Sequence, residues 1–229
     1  MCGRYGRTSD KQRIADAFRV TSDLSGLSMP AADYNIAPST FQPVIRENRE
    51  DGSREMVLMR WGLIPFFTKD IDSIKGISTI NAKAENVPTS PTWREPFKKR
   101  RCIIPASFFY EWKKLDAKTK QPFAFSVNGN SSIFAFAGLW DAWKDGHGHW
   151  LQSFSIVTTS ANELMASVHT RMPVILHQRD YDRWLSREVS EQPPIDLMRP
   201  FESEEMEIKP ANRLVGNVRN NGPEMLNSA

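Results

Sequence analysis

An α+β fold, with a largely antiparallel sheet that is barrel-like or sandwiched, is predicted by three observations. Short segments with strand-like patterning outnumber those with helical spacing. The helical segments are brief, and most open on a recognisable cap or proline. Fifteen prolines are scattered over 229 residues, with no repeat, low-complexity tract or linker, so a single domain with many turns is expected.

Each element has a local reason. Residues 1–7 read as extended. Ser9-Asp10 can cap a short helix whose apolar stripe is Ile14, Ala17 and Phe18. Residues 20–40 read as loop, ending in Tyr34-Asn35-Ile36-Ala37-Pro38-Ser39-Thr40. Residues 42–46 and 54–61 form a plausible hairpin around a turn containing Asp51-Gly52. A short strand is expected over 77–82. A helix should run from Ser90-Pro91 through Phe97, since proline's missing N–H is harmless in the first turn. Strands follow over 101–104, 108–113, 123–127, 133–143 and 151–158, with turns at Asn128-Gly129 and His147-Gly148-His149. Ser160-Ala161-Asn162-Glu163 has capping-box spacing and should open a helix ending near His169. Residues 172–176 read as a short strand. Residues 180–187 read as a helix facing Tyr181, Trp184 and Leu185 inward. Weaker strands are expected over 205–209 and 213–218.

Composition excludes several classes. With 40% apolar residues, 13 Phe and 7 Trp, the chain is too rich in core material to be disordered. It has no apolar run of the roughly 20 residues that a membrane-spanning helix needs. The opening Met1-Cys2-Gly3-Arg4-Tyr5 lacks the apolar stretch of a secretory signal, so a reducing, cytoplasmic or otherwise intracellular location is expected. Two cysteines, Cys2 and Cys102, suffice neither for a disulfide framework nor for a four-cysteine zinc site, and no cysteine–histidine pair has recognised zinc spacing; no metal or cofactor is expected. A net charge of +3 permits a polyanionic partner without requiring one.

Cys2 is the first candidate for chemistry. Removal of Met1 would leave a terminal residue carrying both an α-amine and a thiol. Such an aminothiol condenses with an aldehyde to an imine, and the thiol then closes a thiazolidine ring intramolecularly. The ordinary reading of such a cysteine is an incidental residue at a frayed terminus. Glu111 lies between Tyr110 and Trp112, so on a strand it faces away from both. A carboxylate in this apolar segment suits general acid–base work, and its ordinary reading is a solvent-facing glutamate. His169 can shuttle protons or simply complement a helix end. Asn81 can orient an amine or a sugar oxygen, or merely shape a turn. Arg4, Lys83 and Arg171 flank these residues. Phe66 and Phe67 can stack on bases. The basic run Lys98-Lys99-Arg100-Arg101 reads as a solvated helix end.

Together, eight segments carry a resemblance. They are Met-Cys-Gly-Arg-Tyr, Tyr34-Asn35-Ile36-Ala37-Pro38, Arg60-Trp61-Gly62-Leu63-Ile64-Pro65, Asn81-Ala82-Lys83-Ala84-Glu85, Arg101-Cys102-Ile103-Ile104-Pro105, Phe109-Tyr110-Glu111-Trp112, His169-Thr170-Arg171-Met172-Pro173 and Val215-Gly216-Asn217-Val218. In this order the chain resembles the SOS response-associated peptidase (SRAP) family of abasic-site processing proteins, over residues 2–220, with 221–229 left as a tail. The resemblance implies one SRAP-like domain built on a barrel-like antiparallel sheet, with short flanking helices. It also implies covalent trapping of ring-opened abasic sites in single-stranded DNA through Cys2, with possible lyase and self-cleaving activity. Catalytic roles fall on Cys2, Asn81, Glu111 and His169. DNA contacts fall on Arg4 and Arg171, with Lys83 standing where the family commonly has arginine. Phe66 and Phe67 lie where some members place a tryptophan-containing wedge. A monomer acting on single-stranded DNA, with no membrane partner, is expected.

Two other classes remain in view. One is a cysteine peptidase using Cys2, His169 and Glu111, including removal of its own Met1. The other is a single-strand DNA-binding module without chemistry, in which Cys2→Ala leaves function intact.

Overall fold

Successive residues of the central strands enter different cores. Val44, Ile104 and Phe136 join one apolar cluster, whereas their neighbours Ile45, Ile103 and Ala137 join another. Strands buried on both faces produce this period of two. The computed structural model describes residues 2–74, 78–127, 133–187 and 193–228.

In chain order the elements are β1 (Tyr5–Arg7), α1 (Lys11–Phe18), β2 (Asp33–Ile36), β3 (Phe41–Glu47), β4 (Arg54–Trp61), β5 (Asn81–Lys83), α2 (Arg94–Lys99), β6 (Arg101–Ala106), β7 (Phe108–Lys114), β8 (Lys120–Val127), β9 (Phe134–Lys144), β10 (Trp150–Ser160), α3 (Glu163–Ala166), β11 (Arg171–Pro173), β12 (Ile175–Leu176), α4 (Tyr181–Leu185) and β13 (Met206–Pro210). Five of the strands close a barrel in the order β10-β4-β3-β6-β9, with β9 pairing back to β10. The ring is antiparallel except where β4 runs parallel to β10, pairing Arg60 with Ser153 and Trp61 with Phe154. Short β5 and β11 extend β10, and β12 pairs with β9. A second, antiparallel sheet has the order β13-β8-β7-β1-β2. The α+β class, the barrel-like sheet and the single domain are therefore all present, with short helices at the periphery.

One core joins the two sheets. Trp61 is fully buried there, edge-on to Tyr5 at 5.3 Å and stacked on Phe154 at 6.3 Å. Phe109 stacks on Phe125 at 5.1 Å and meets Phe136 at 5.8 Å. Each such ring contributes about 1.5–3 kcal/mol by leaving water. The other core receives Ile14 and Phe18 from α1, Phe97 from α2 and Trp184 from α4. Gly138 lets β9 pass between β6 and β10. A Cβ there would stand 2.2 Å from Ile104 Cδ1 and 2.9 Å from Cys102 Sγ.

The structure revises several sequence expectations. Residues 33–36 form a strand within the segment read as loop. Asp33 and Asn35 are poor strand formers, and pairing of Ile36 with Tyr5 overrides that propensity. The strand expected over 77–82 is only Asn81–Lys83 within the described residues, which exclude 75–77. α2 starts at Arg94, because Pro91 sits in the turn before it. The stripe of α1 is Ile14, Ala15 and Phe18, with Ala17 only partly covered. Asn162, not Ser160, caps α3 by accepting from Met165 N, because β10 runs on to Ser160. α3 then ends at Ala166, short of His169. Residues 213–216 form a 3₁₀ turn capped by Asn212, since 206–210 already pair with β8. The Asn128-Gly129 turn lies outside the described residues. Beyond residue 220, Pro223–Leu226 forms another 3₁₀ turn whose Met225 is buried beside Val215. Among the described residues no helix is long and apolar enough to cross a membrane.

Candidate active site

β1 lies between β7 and β2, and this draws the chain's first residues into the interior. Tyr5 pairs with Phe109, and Tyr110 N donates to Arg4 O at 2.9 Å, so the ladder continues towards Cys2. Cys2 has no exposed surface, which removes the reading of a frayed end. Asn81 Nδ2 donates to the carbonyl oxygen of Cys2 at 2.8 Å. Asn81 is placed by β5, which pairs it with Ile156 of β10. Its Oδ1 is buried with no hydrogen-bond partner among the described residues. A buried amide oxygen in that state is ready for a donor.

Glu111 is 4% exposed and sits opposite Phe123 of β8. Strand alternation behaves as expected. Tyr110 and Trp112 pack into a third cluster, while Glu111 shares the other face with Phe109. The solvent-facing reading of Glu111 is therefore excluded. Burial pushes the Cys2 thiol well above its ordinary pKa. The charge of Glu111 pushes it the same way, and a hydrogen bond from the Arg4 backbone opposes both. Burial and the Glu111 charge thus favour the thiol form of Cys2 over the thiolate.

His169 lies between α3 and β11. Its Nδ1 lies 3.0 Å from Arg171 N and 3.2 Å from Arg171 O, which ties the ring to the start of β11. Arg171 is clamped by Glu85, with Nη1 and Nη2 donating to the two carboxylate oxygens, and Nη2 also donates to Thr158 O at 2.7 Å. The Arg171 hydrogen bonds hold the Glu85 pKa below its usual range, despite some burial, and Lys83 adds to this. Lys83 is exposed and pairs across from Thr158. Arg4 Nη1 donates to Asn35 Oδ1 at 2.8 Å and to Val215 O at 2.7 Å, bracing β2 and the C-terminal segment. Phe66 and Phe67 are more than half exposed and meet edge-on at 5.3 Å.

The expected site residues fall into three groups. Cys2 is hydrogen-bonded to Asn81, and the charge of Glu111 reaches its sulfur. His169, Arg171 and Lys83 are gathered by β10 and its neighbours β5 and β11. Arg4 lies beside Cys2 in the chain but spends Nη1 inside the protein, and the Phe pair stands on the segment after β4. Glu85 was not signalled as Arg171's partner, because the two are 86 positions apart. Among the described residues, one group has the spacing to hold a cation: His177, Glu202 and Glu205, whose ligand atoms lie within 4.8 Å of one another. It includes none of these site residues.

The fold and site define a single-domain α+β protein whose second residue is a buried cysteine fastened to an asparagine and bordered by a glutamate. A family model described as SOS response associated peptidase (SRAP) matches residues 1–218, and the chain belongs to that family. It is 38% identical to the abasic site processing protein YoqW of Bacillus subtilis, over the full length of both. It is 28% identical to the abasic site processing protein HMCES of Rattus norvegicus, covering 84% of this chain and 64% of that one. A crystal structure of a Bacteroides thetaiotaomicron protein superposes with a TM-score of 0.87 at 27% identity, covering all of both chains.

Proposed function

We propose that the protein traps ring-opened abasic sites in single-stranded DNA, using the α-amine and thiol of Cys2 once Met1 is removed. The observation that carries this reading is the setting of Cys2: buried, fastened by Asn81 and adjacent to Glu111. Family membership and the names of the relatives support it.

In this mechanism the neutral amine attacks the aldehyde carbon of the opened deoxyribose. A C–N bond forms, the aldehyde oxygen takes up protons and leaves as water, and an imine results. The sulfur then bonds to the imine carbon, and its proton is passed to the nitrogen. The product is a thiazolidine. A thiol held protonated needs a base at the moment of closure, and Glu111 is the carboxylate whose charge reaches the sulfur. Asn81 Oδ1 receives the amine or a sugar hydroxyl. His169 Nε2 serves the departing water, while Lys83 and Arg171 hold phosphates. The imine could otherwise drive β-elimination and strand cleavage, so fast ring closure protects the strand. The protein acts as an intracellular monomer in this reading, and recognition of an unpaired backbone needs no base readout.

The test is incubation with single-stranded DNA containing one abasic site, followed by a denaturing gel, with Cys2→Ala alongside. A shifted band that requires Cys2 supports trapping. Absence of that band, from protein whose mass shows Met1 removed, overturns it.

A further inference from the structure

A second feature lies outside the Cys2 site. A cleft of about 690 Å³ opens where the β3–β4 hairpin, the end of α2 and the chain after α4 converge. Five cations reach it: Arg46, Arg49, Lys99, Arg100 and Arg187. Of its four acids, Glu50 is exposed and the other three are engaged. Glu55 holds Arg46 at 2.6 Å, Asp141 pairs with Arg100 at 3.2 Å, and Glu47 accepts from the Arg187 backbone at 3.1 Å. Arg46 Nη1 is buried with no hydrogen-bond partner among the described residues. Burial, then the charge of Arg49, lowers the Arg187 pKa; Glu47 opposes this, and Arg46 and Arg100 add to it, so the guanidiniums repel one another against a partial counter-charge. An anion would relieve that repulsion.

Aromatic rings stand among the cations. Arg46 lies over Trp140, 4.4 Å from the ring centroid. Trp150 is 66% exposed at the cleft, and exposed Phe66 forms part of its wall. Cations interleaved with exposed rings are the means by which proteins hold unpaired nucleic acid.

The cleft and the active site share β10 and the segment after β4. The segment after β4 runs from Gly62, which donates to Phe154 O at 2.9 Å, to Phe66, which donates to Asp141 Oδ2 at 3.0 Å. Gln152 of β10 lines the cleft, and Ile156 of the same strand pairs with Asn81. Those positions are about 13 Å apart at a strand's rise per residue.

We propose that this cleft is a second single-stranded-DNA subsite, which takes the nucleotides flanking the abasic site as they pass over Phe66 onto Trp150, with phosphates at Arg49 and Arg187. It rests on the DNA substrate of the reading above, but not on the covalent step.

The test measures fluorescence anisotropy with undamaged strands of about 5 and about 15 nucleotides, lengths that bracket typical single-strand site sizes. Wild type is compared with Arg49→Gln/Arg187→Gln and with Trp150→Ala, all at exposed or partly exposed positions. Loss of two phosphate contacts should lower the salt slope on the long strand by about 1.4. Trp150→Ala should weaken long-strand binding at least about fivefold. Both variants should crosslink a short abasic strand, held at its reacting nucleotide, at the wild-type rate. Unchanged affinity and slope on the long strand overturn the proposal, as does an equal loss of crosslinking rate on the short abasic strand. An acidic peptide that competes as well as DNA, without dependence on Trp150, overturns the nucleic-acid assignment. If no protein crosslinks but long-strand binding still depends on the cleft, the covalent reading fails and the subsite stands.

Discussion

Asn81 Nδ2 donates to the carbonyl oxygen of Cys2 across 2.8 Å, and this bond joins the barrel to the start of the chain. Asn81 belongs to the barrel through β5 and β10, whereas Cys2 arrives with the second sheet. One side-chain amide thus sets where the reactive residue sits. Replacing it by Ala should slow crosslinking about a hundredfold, the usual cost of a misplaced reacting group. Asn81→Asp lacks the donor and should fail similarly. Single-turnover gels measure the rate, and an unchanged melting temperature separates misplacement from unfolding. A wild-type rate in both variants would remove Asn81 from the mechanism.

Glu85 already occupies the guanidinium proposed to bind phosphate. A DNA phosphate at Arg171 must compete with a carboxylate that holds both Nη atoms. Glu85→Gln removes that charge and keeps an acceptor near Arg171. Affinity for undamaged single strands should rise severalfold at low salt, and the salt slope should steepen by about 0.7, one phosphate contact. Weaker binding would mean that the carboxylate's main effect is to aim Arg171.

These two contacts show where sequence reasoning reached and where it stopped. Tyr110-Glu111-Trp112 states its own geometry, since alternation on a strand is local, and β7 obeys it. Capping and turn chemistry likewise foretold α1 and the β3–β4 hairpin. The partnership of Glu85 with Arg171 depends on β5 and β11 both lying against β10, which no local pattern encodes. β2 was hidden for the same reason, because its strand character comes from pairing with β1 rather than from Asp33 and Asn35. The resemblance named Asn81, and the structure adds what its two amide atoms meet.

Buried thiols make stability depend on pH in the alkaline range. Cys2 and Cys102 are both fully buried, and burial raises both pKa values. A raised folded pKa means that stabilisation is complete below the unfolded thiol value, near 8.5, and is lost as pH rises above it. Each thiol should contribute a slope of about 1.4 kcal/mol per pH unit there. Urea titrations between about pH 8 and 10 should therefore show a shallower decline in Cys102→Ala than in wild type. The same variant should keep crosslinking activity, since the chemistry is assigned to Cys2. An identical decline would mean that solvent reaches the Cys102 sulfur.

Gly138 tests whether the barrel's tightness matters for the site it carries. It pairs with Cys102 on one side and with Ile156 on the other, and Ile156 also pairs with Asn81. An added Cβ meets Ile104 Cδ1 at 2.2 Å, Cys102 Sγ at 2.9 Å and Ser155 O at 3.2 Å. The isoleucine methyl can rotate away, but the backbone oxygen moves only if β10 moves. Gly138→Ala should cost about 1–3 kcal/mol in urea unfolding. It should also slow crosslinking in the fraction that stays folded, because a shift of β10 carries β5 and Asn81 with it. Ile104→Val removes the nearest clashing atom and alone costs about 0.5–1.5 kcal/mol. In the double variant the two costs should sum to less than their parts, while the rate stays low because the Ser155 oxygen still presses on the new Cβ. Full recovery of both stability and rate in the double variant would place all of the strain on Ile104, and leave β10 where it was.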